Sequence, residues 1–186
     1  SLKESAVATA LLLGAFLLCE VPPLVSAICS VVVAIQTMTG MALYQRYLGA
    51  ERAAFVVESF YADIWNRHDK SAIPRLLCAD FTFRGSLGPS KVGHEEFASY
   101  VDFVHDTLGD YRCDIQDLVV SDHKAFAKML FSGIHRKTFL GYEPTSLRVE
   151  WAGAALFTLK DRMISDLWVL GDLQGLHQLL ERNREA

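Results

Sequence analysis

With 186 residues, 51% of them hydrophobic and 11% aromatic, and with 5 prolines, the chain is too apolar and aromatic to be disordered. Its length suits one ordinary domain plus an extension. Eighteen Lys and Arg against 22 Asp and Glu give a formal charge of -4 and a pI of 5.8, so no nucleic-acid partner is expected.

The charge is unevenly spread: within residues 1–50 only Lys3, Glu4, Glu20 and Arg46 carry it. The chain therefore divides into an apolar N-terminal segment, 1–50, and a domain, 51–186. Residues 6–35 are interrupted by a single charge, Glu20, beside Pro22 and Pro23, and exceed the length needed to cross a bilayer. Three readings are open. The segment is a membrane anchor, bent at the Pro-Pro pair. Alternatively it is a signal peptide, with Lys3 as its charged start and Val25-Ser26-Ala27 as its cleavage site, although residues 28–35 stay apolar beyond the cut. Or it is a helical hairpin packed on a partner, or an extension upstream of a domain starting at Met38 or Met41. For an anchor, Arg46 and Arg52 outweigh Lys3 and put the main domain on the cytoplasmic side.

Cys19, Cys29, Cys78 and Cys113 form no CxxC pair, and His94-Glu95-Glu96 opens like a zinc-protease helix but lacks the second His. No GxxxxGK[ST], GxGxxG or GxSxG occurs. Neither a metal nor a nucleotide cofactor is expected, and any chemistry must come from side chains alone.

From residue 51 on, Ala53, Ala54, Val57, Phe60, Tyr61 and Ile64 recur at helical spacing, ending near Asn66. His68-Asp69-Lys70-Ser71 breaks the pattern, with Asp69 suited to a turn or cap, and a short helix is predicted over residues 72–78. A short strand over 80–84, a loop over 85–93 and a helix over 95–108 follow. The period then changes to two. Residues 111–120, 125–135, 147–159 and 163–170 read as strands, and 173–182 closes the chain as a helix.

Helices first and a meandering antiparallel sheet afterwards predict an α+β fold whose curved sheet encloses a pocket. In the run 125–135 one face carries Ala125, Ala127, Met129, Phe131, Gly133 and His135. In 163–170, strict alternation puts Ile164, Asp166, Trp168 and Leu170 on one face. Asp166, Trp168 and Asp172 near the end of that strand, with His135 on a neighbour, would form a polar cluster in an aromatic cavity. Met129, Phe131, Trp151 and Trp168 would serve as core or as ligand wall.

Six short motifs stand in order: Trp65-Asn66-Arg67-His68-Asp69, Gly109-Asp110-Tyr111-Arg112, Gly133-Ile134-His135, Phe139-Leu140-Gly141-Tyr142-Glu143-Pro144-Thr145, Lys160-Asp161-Arg162-Met163-Ile164 and Trp168-Val169-Leu170-Gly171-Asp172. With them the chain resembles the SnoaL-like polyketide cyclases of the NTF2-like superfamily over residues 55–181. The resemblance implies a cone-shaped fold with a deep cavity for a small hydrophobic molecule, commonly dimeric through its sheet. It also implies cofactor-free ring closure by intramolecular aldol condensation, with Asp172 as the acid/base carboxylate and His135 in the same pocket. Burial beside Trp168 would raise the pKa of Asp172, and His135 would donate to the developing oxyanion. Two departures stand out: Tyr142, Glu143 and Ser146 replace the family's usual loop residues, and Asp161-Arg162 replaces an Asp-Gly turn.

Each residue has a structural alternative. Asp172 directly precedes the last helix, where Asp is a preferred N-cap, and a carboxylate bonded to backbone N–H groups would be a poor base. His135 could be a strand-end histidine and Asp166 a surface ion-pair partner. Two function classes remain: a cofactor-independent cyclase or isomerase acting on a hydrophobic ketone, and a non-catalytic ligand-binding or dimerising module held at a membrane.

Overall fold

The computed structural model describes residues 22–185. The first part of the expected anchor, residues 6–21, lies outside them. Helix α1, Pro23–Ser59, leads into wider π turns over Phe60–Asn66. Contacts divide the chain into one unit ending at Arg46 and a second beginning at Tyr47.

In the second unit, Ala53, Val56, Val57, Phe60, Tyr61, Ile64 and Trp65 are buried. They recur every three or four residues, so one helix face supplies the core. The π turns are set by backbone bonds that reach further back than in an α-helix, Arg67 N–H to Ala62 O at 3.1 Å and Asp69 N–H to Asp63 O at 2.9 Å. Asp69 then caps a single 3-10 turn, Lys70–Ala72, by accepting from Ser71 N–H at 3.0 Å and Ser71 Oγ at 2.6 Å. These donors hold its carboxyl below the usual range. A one-turn helix α2, Ile73–Leu76, delivers the chain to β1, Leu77–Arg84.

The two-residue β2, Lys91–Val92, precedes α3, Gly93–Thr107, which buries Phe97, Val101 and Val104. Four strands follow: β3, Leu108–Val120; β4, Lys124–His135; β5, Arg148–Lys160; and β6, Met163–Gly171. Helix α4, Leu173–Glu185, buries Leu176 and Leu180 and packs on β5. The fold is α+β, with one six-stranded sheet in the order β2-β1-β6-β5-β4-β3. β3 to β6 form the predicted antiparallel meander, and β1 joins it by pairing with β6 in parallel. The chain passes through β2, α3, β3, β4 and β5 between β1 and β6, which is the long connection a parallel pair requires. Register shifts in β3, between Gly109 and Arg112 and between Ile115 and Asp117, break the regular ladder and bend the strand.

The core lies between the inner face of this sheet and the helices. Phe60 meets Tyr61, Phe97 and Phe157 at ring-centroid distances of 5.1, 5.8 and 5.7 Å. On β4 the buried face is the predicted one, Ala125, Ala127, Met129, Phe131 and His135. On β6 it is not. The ladder to β5 pairs Thr158 with Asp166 but Leu159 with Ile164, so Ser165 is an extra residue. A one-residue bulge exchanges the faces beyond it. Ile164 and Leu167 therefore point inward, while Asp166, Trp168 and Leu170 point outward.

Candidate functional site

A cavity of about 40 Å3 opens between the π turns, α3 and the inner face of the sheet. Phe60, Tyr61 and Trp65 come from the π turns, Tyr100 from α3, Tyr111 and Cys113 from β3, Phe131 from β4, Trp151 from β5, and Leu167 and Val169 from β6. Leu87, in the loop after β1, also lines it. Its size holds one to a few waters, where small-molecule sites run to roughly 300–1,000 Å3. The deep pocket expected from the resemblance is thus largely filled by aromatic rings. Trp151 stands 5.5 Å from Phe131 and 6.2 Å from Tyr111, and Trp65 stands 5.6 Å from Tyr111. Gly153 permits this packing, since a Cβ there would lie 2.5 Å from the Phe131 ring and 2.8 Å from Leu170 O.

Asn66 ties two cavity walls together. Its side-chain amide donates to Cys113 O at 3.1 Å and accepts from Cys113 N–H at 2.8 Å, in the manner of a neighbouring strand. The π turns that carry Tyr61 and Trp65 are thereby fixed against β3. Ser86 Oγ secures the far wall, donating to Val169 O at 3.2 Å and accepting from Gly171 N–H at 2.5 Å.

The polar atoms facing this space are hydroxyls and a thiol. Burial, reinforced by the neighbouring Cys113, pushes Tyr61 and Tyr111 well above the ordinary tyrosine range. Tyr100 and the Cys113 thiol are raised by burial too. All four stay protonated at neutral pH and can act as hydrogen-bond donors. Tyr61 is 3% exposed, and its hydroxyl has no hydrogen-bond partner among the described residues. An unpaired buried hydroxyl costs about 1–3 kcal/mol. The hydroxyl belongs to a residue that lines the cavity, where an acceptor could meet it. Among the described residues no carboxylate or imidazole lines this cavity.

The predicted site residues are dispersed. Phe131 and Trp151 line the cavity, and Met129 is fully buried in the core beside it. Trp168 and Asp166, expected in the pocket, stand on the opposite face of the sheet because of the Ser165 bulge. There the Arg84 guanidinium lies 5.9 Å from the Trp168 ring, and Thr82 Oγ1 donates to Asp166. Asp172 is exposed and caps α4, accepting from Gly175 N–H at 2.9 Å. His135 is fully buried at the end of β4, its Nδ1 3.3 Å from Thr145 Oγ1. Burial lowers its pKa against the opposing pull of the Lys137 and Tyr142 backbone. The strand carrying His135 is separated from β6 by β5, so the expected polar cluster of Asp166, Trp168, Asp172 and His135 is not assembled.

Helical spacing puts Tyr61 on the buried face of its helix and gives it no role. The available signal was a phenol among apolar core positions, which ordinarily demands a partner for its hydroxyl. Tyr111 stands in the Gly109–Arg112 motif without a role attached to it, and Tyr100 and Cys113 belong to no motif. Among the described residues no group of three or more His, Cys, Asp or Glu is placed to hold a metal ion.

The profile of the SnoaL-like polyketide cyclases matches residues 55–180. The chain belongs to this family. No curated protein matches the sequence. Among solved structures, TsrD from Streptomyces laurentii is similar with a TM-score of 0.62 and 26% identity, over 70% of this chain and 95% of that one. A protein of Xanthomonas campestris pv. campestris provisionally described as a polyketide cyclase has a TM-score of 0.61 and 25% identity, over 70% and 98% of the two chains. A protein of Jannaschia sp. CCS1 provisionally described as a SnoaL-like polyketide cyclase has a TM-score of 0.64 and covers 70% of this chain and 92% of its own; at 14% identity it supports the fold alone.

Proposed function

We propose that this member of the SnoaL-like family is a binding protein for a small hydrophobic ketone, which takes the place of Leu87 as the aromatic cavity opens and sets its oxygen on Tyr61 Oη. The observation that carries the reading is the buried, partnerless Tyr61 hydroxyl in an otherwise aromatic enclosure. A planar ring system offers the faces and edges that Trp65, Tyr111 and Trp151 can stack against, and one carbonyl satisfies the hydroxyl. A neutral phenol donates to a ketone without needing a charge in the cavity.

Entry requires a wall to move. Leu87 and Tyr100 line both the cavity and an open depression floored by Pro89, Glu96, Ser99 and Phe103, so displacing Leu87 would join the two spaces. The binding reading accounts for a cavity lined by donors and rings with no basic group among them. Self-association through the outer sheet face, which exposes Phe126, Leu156, Trp168 and Leu170, belongs to the same reading.

The second reading is a cofactor-independent cyclase or isomerase, closing a ring by aldol-type chemistry with Asp172 as base and His135 as oxyanion donor. Family membership favours it. It requires Asp172 to leave its helix cap and reach the reacting carbon.

Titration with an anthraquinone, read by quenching of Trp65 and Trp151 fluorescence, separates the readings when paired with a turnover assay on a polycyclic β-keto ester. The binding reading expects saturable quenching weakened about 5- to 10-fold by Tyr61→Phe, the loss of roughly one hydrogen bond, with no turnover. Turnover abolished by Asp172→Asn would replace it with the cyclase reading. Quenching unaffected by Tyr61→Phe would remove Tyr61 from the site.

A further inference from the structure

The part of α1 that precedes Arg46 does nothing for the cavity, and its surface has a different chemistry from the rest of the molecule. We propose that residues 23–45 of this helix span a lipid bilayer, making the chain an integral membrane protein that carries its ligand-binding domain beside the membrane. The proposal is independent of what the cavity binds.

Length comes first. At about 1.5 Å per residue, residues 23–45 rise about 35 Å as helix. The hydrocarbon core of a bilayer is about 30 Å thick. Within this stretch no residue is charged, and the first charge after it is Arg46. The mean hydropathy of its most apolar window is 1.8, and none of that window is buried. The core helix of a soluble protein would pass the same length and hydropathy test, but would be covered.

The distribution of apolar side chains is the second argument. Leu24, Ile28, Val31 and Ile35 follow one line along the helix, and Val25, Val32 and Leu43 lie about a quarter turn away. Met38 and Met41 occupy the other flank. The remaining side carries Ser26, Ser30, Val33, Thr37 and Gly40 and no charge. Large apolar side chains over more than half of the circumference and small or hydroxyl residues over the rest suit a surrounding solvent of hydrocarbon. A helix lying in a membrane surface or on one protein partner would carry a charged face opposite its apolar one.

Three hydroxyls inside the stretch are bonded in a way that needs no water. Ser30 Oγ donates to Ser26 O at 2.9 Å, Thr37 Oγ1 to Val33 O at 2.8 Å and Thr39 Oγ1 to Ile35 O at 2.8 Å. Each hydroxyl satisfies itself on the carbonyl four residues back, the arrangement hydrocarbon demands of a hydroxyl. At the end of the stretch Tyr44 and Tyr47 are exposed, interleaved with Arg46 and followed by Glu51 and Arg52. Amphipathic rings beside the first basic residues mark the level of the headgroups.

Cys29 lies inside the proposed span and reports on it directly. The full chain is reconstituted in phosphatidylcholine vesicles, and reaction of Cys29 with a water-soluble maleimide is followed by peptide mass spectrometry. The expected result is labelling at least 10-fold slower in intact vesicles than after solubilisation in denaturing detergent, with the chain retained through an alkaline carbonate wash. Val31→Lys combined with Ile35→Lys should abolish that retention while the near-ultraviolet circular dichroism of the aromatic core persists. Release of the unmodified chain by carbonate, or equal labelling with and without vesicles, overturns the proposal. So does a lipid-free, soluble oligomer in which Cys29 is already protected, since a second copy would then cover the helix. A chain cut after Ala27 when made in cells overturns it in favour of a signal peptide.

Discussion

Tyr61→Phe is the sharpest test of the cavity, because the same atom should act with opposite sign on stability and on binding. In the ligand-free protein the Tyr61 hydroxyl is buried with no partner among the described residues. Leaving such a group unsatisfied costs about 1–3 kcal/mol, and Phe keeps the ring that packs at 5.1 Å on Phe60 and 5.8 Å on Phe157. A water in a cavity of about 40 Å3 would recover part of that cost. The variant should therefore be more stable than the parent by about 1 kcal/mol, which for a chain of this size raises Tm by roughly 2–4 °C. In the bound protein the hydroxyl has its acceptor, so the variant should bind a ketone probe about 5- to 10-fold more weakly. Urea unfolding followed by far-ultraviolet circular dichroism measures the first effect, and fluorescence titration the second. A variant destabilised by 1 kcal/mol or more, with unchanged affinity, would mean that the hydroxyl is already satisfied and does not await a ligand.

Other residues make separate predictions. Asp172→Ala should cost about 1 kcal/mol through loss of the α4 cap and Asp172→Asn only a few tenths, since Asn caps equally well; equal losses in urea titrations would contradict the capping role. Asp161 and Arg162 both have positive φ, 51° and 67°, so Arg162→Gly should raise stability by roughly 0.5–1 kcal/mol, and a lower unfolding midpoint would refute that strain. Burial lowers the pKa of His135 and of His105, the latter helped by the nearby His68. Both favour a neutral ring in the fold, so as pH falls past about 6.5 the unfolded chain takes up protons first. Stability should drop between pH 7.5 and pH 5, and less so in His135→Gln; a higher urea midpoint at pH 5 would contradict the burial argument. Leu87→Ala should speed association of the ketone probe several-fold in stopped-flow fluorescence if this side chain gates the cavity, and an unchanged rate would place the entrance elsewhere.

Periodicity is a local property, and where no bulge interrupts the element it was legible. Residues 125–135 alternate so cleanly that the buried face of β4 follows from the sequence, and Phe97, Val101 and Val104 mark the core face of α3 by spacing alone. Order of elements and six short motifs sufficed for the family, which the profile match over residues 55–180 establishes. The position of Asp172 before an apolar periodic run also signalled its cap.

The site was decided by tertiary structure. Ser165 looks like any other strand residue, and only the pairing of Thr158 with Asp166 and Leu159 with Ile164 makes it a bulge that turns Asp166 and Trp168 away from the cavity. The π turns that bring Tyr61 and Trp65 to face Tyr111 depend on Asn66 meeting Cys113, 47 residues later. Volume is likewise a sum over every wall, and whether Phe131 and Trp151 bound a pocket or fill it depends on how closely Gly153 lets them pack. A sequence specifies the face each side chain presents within an element of regular period. The distance between two faces is set by the register and packing of elements far apart in the chain, and there the choice between a cavity and a core was made.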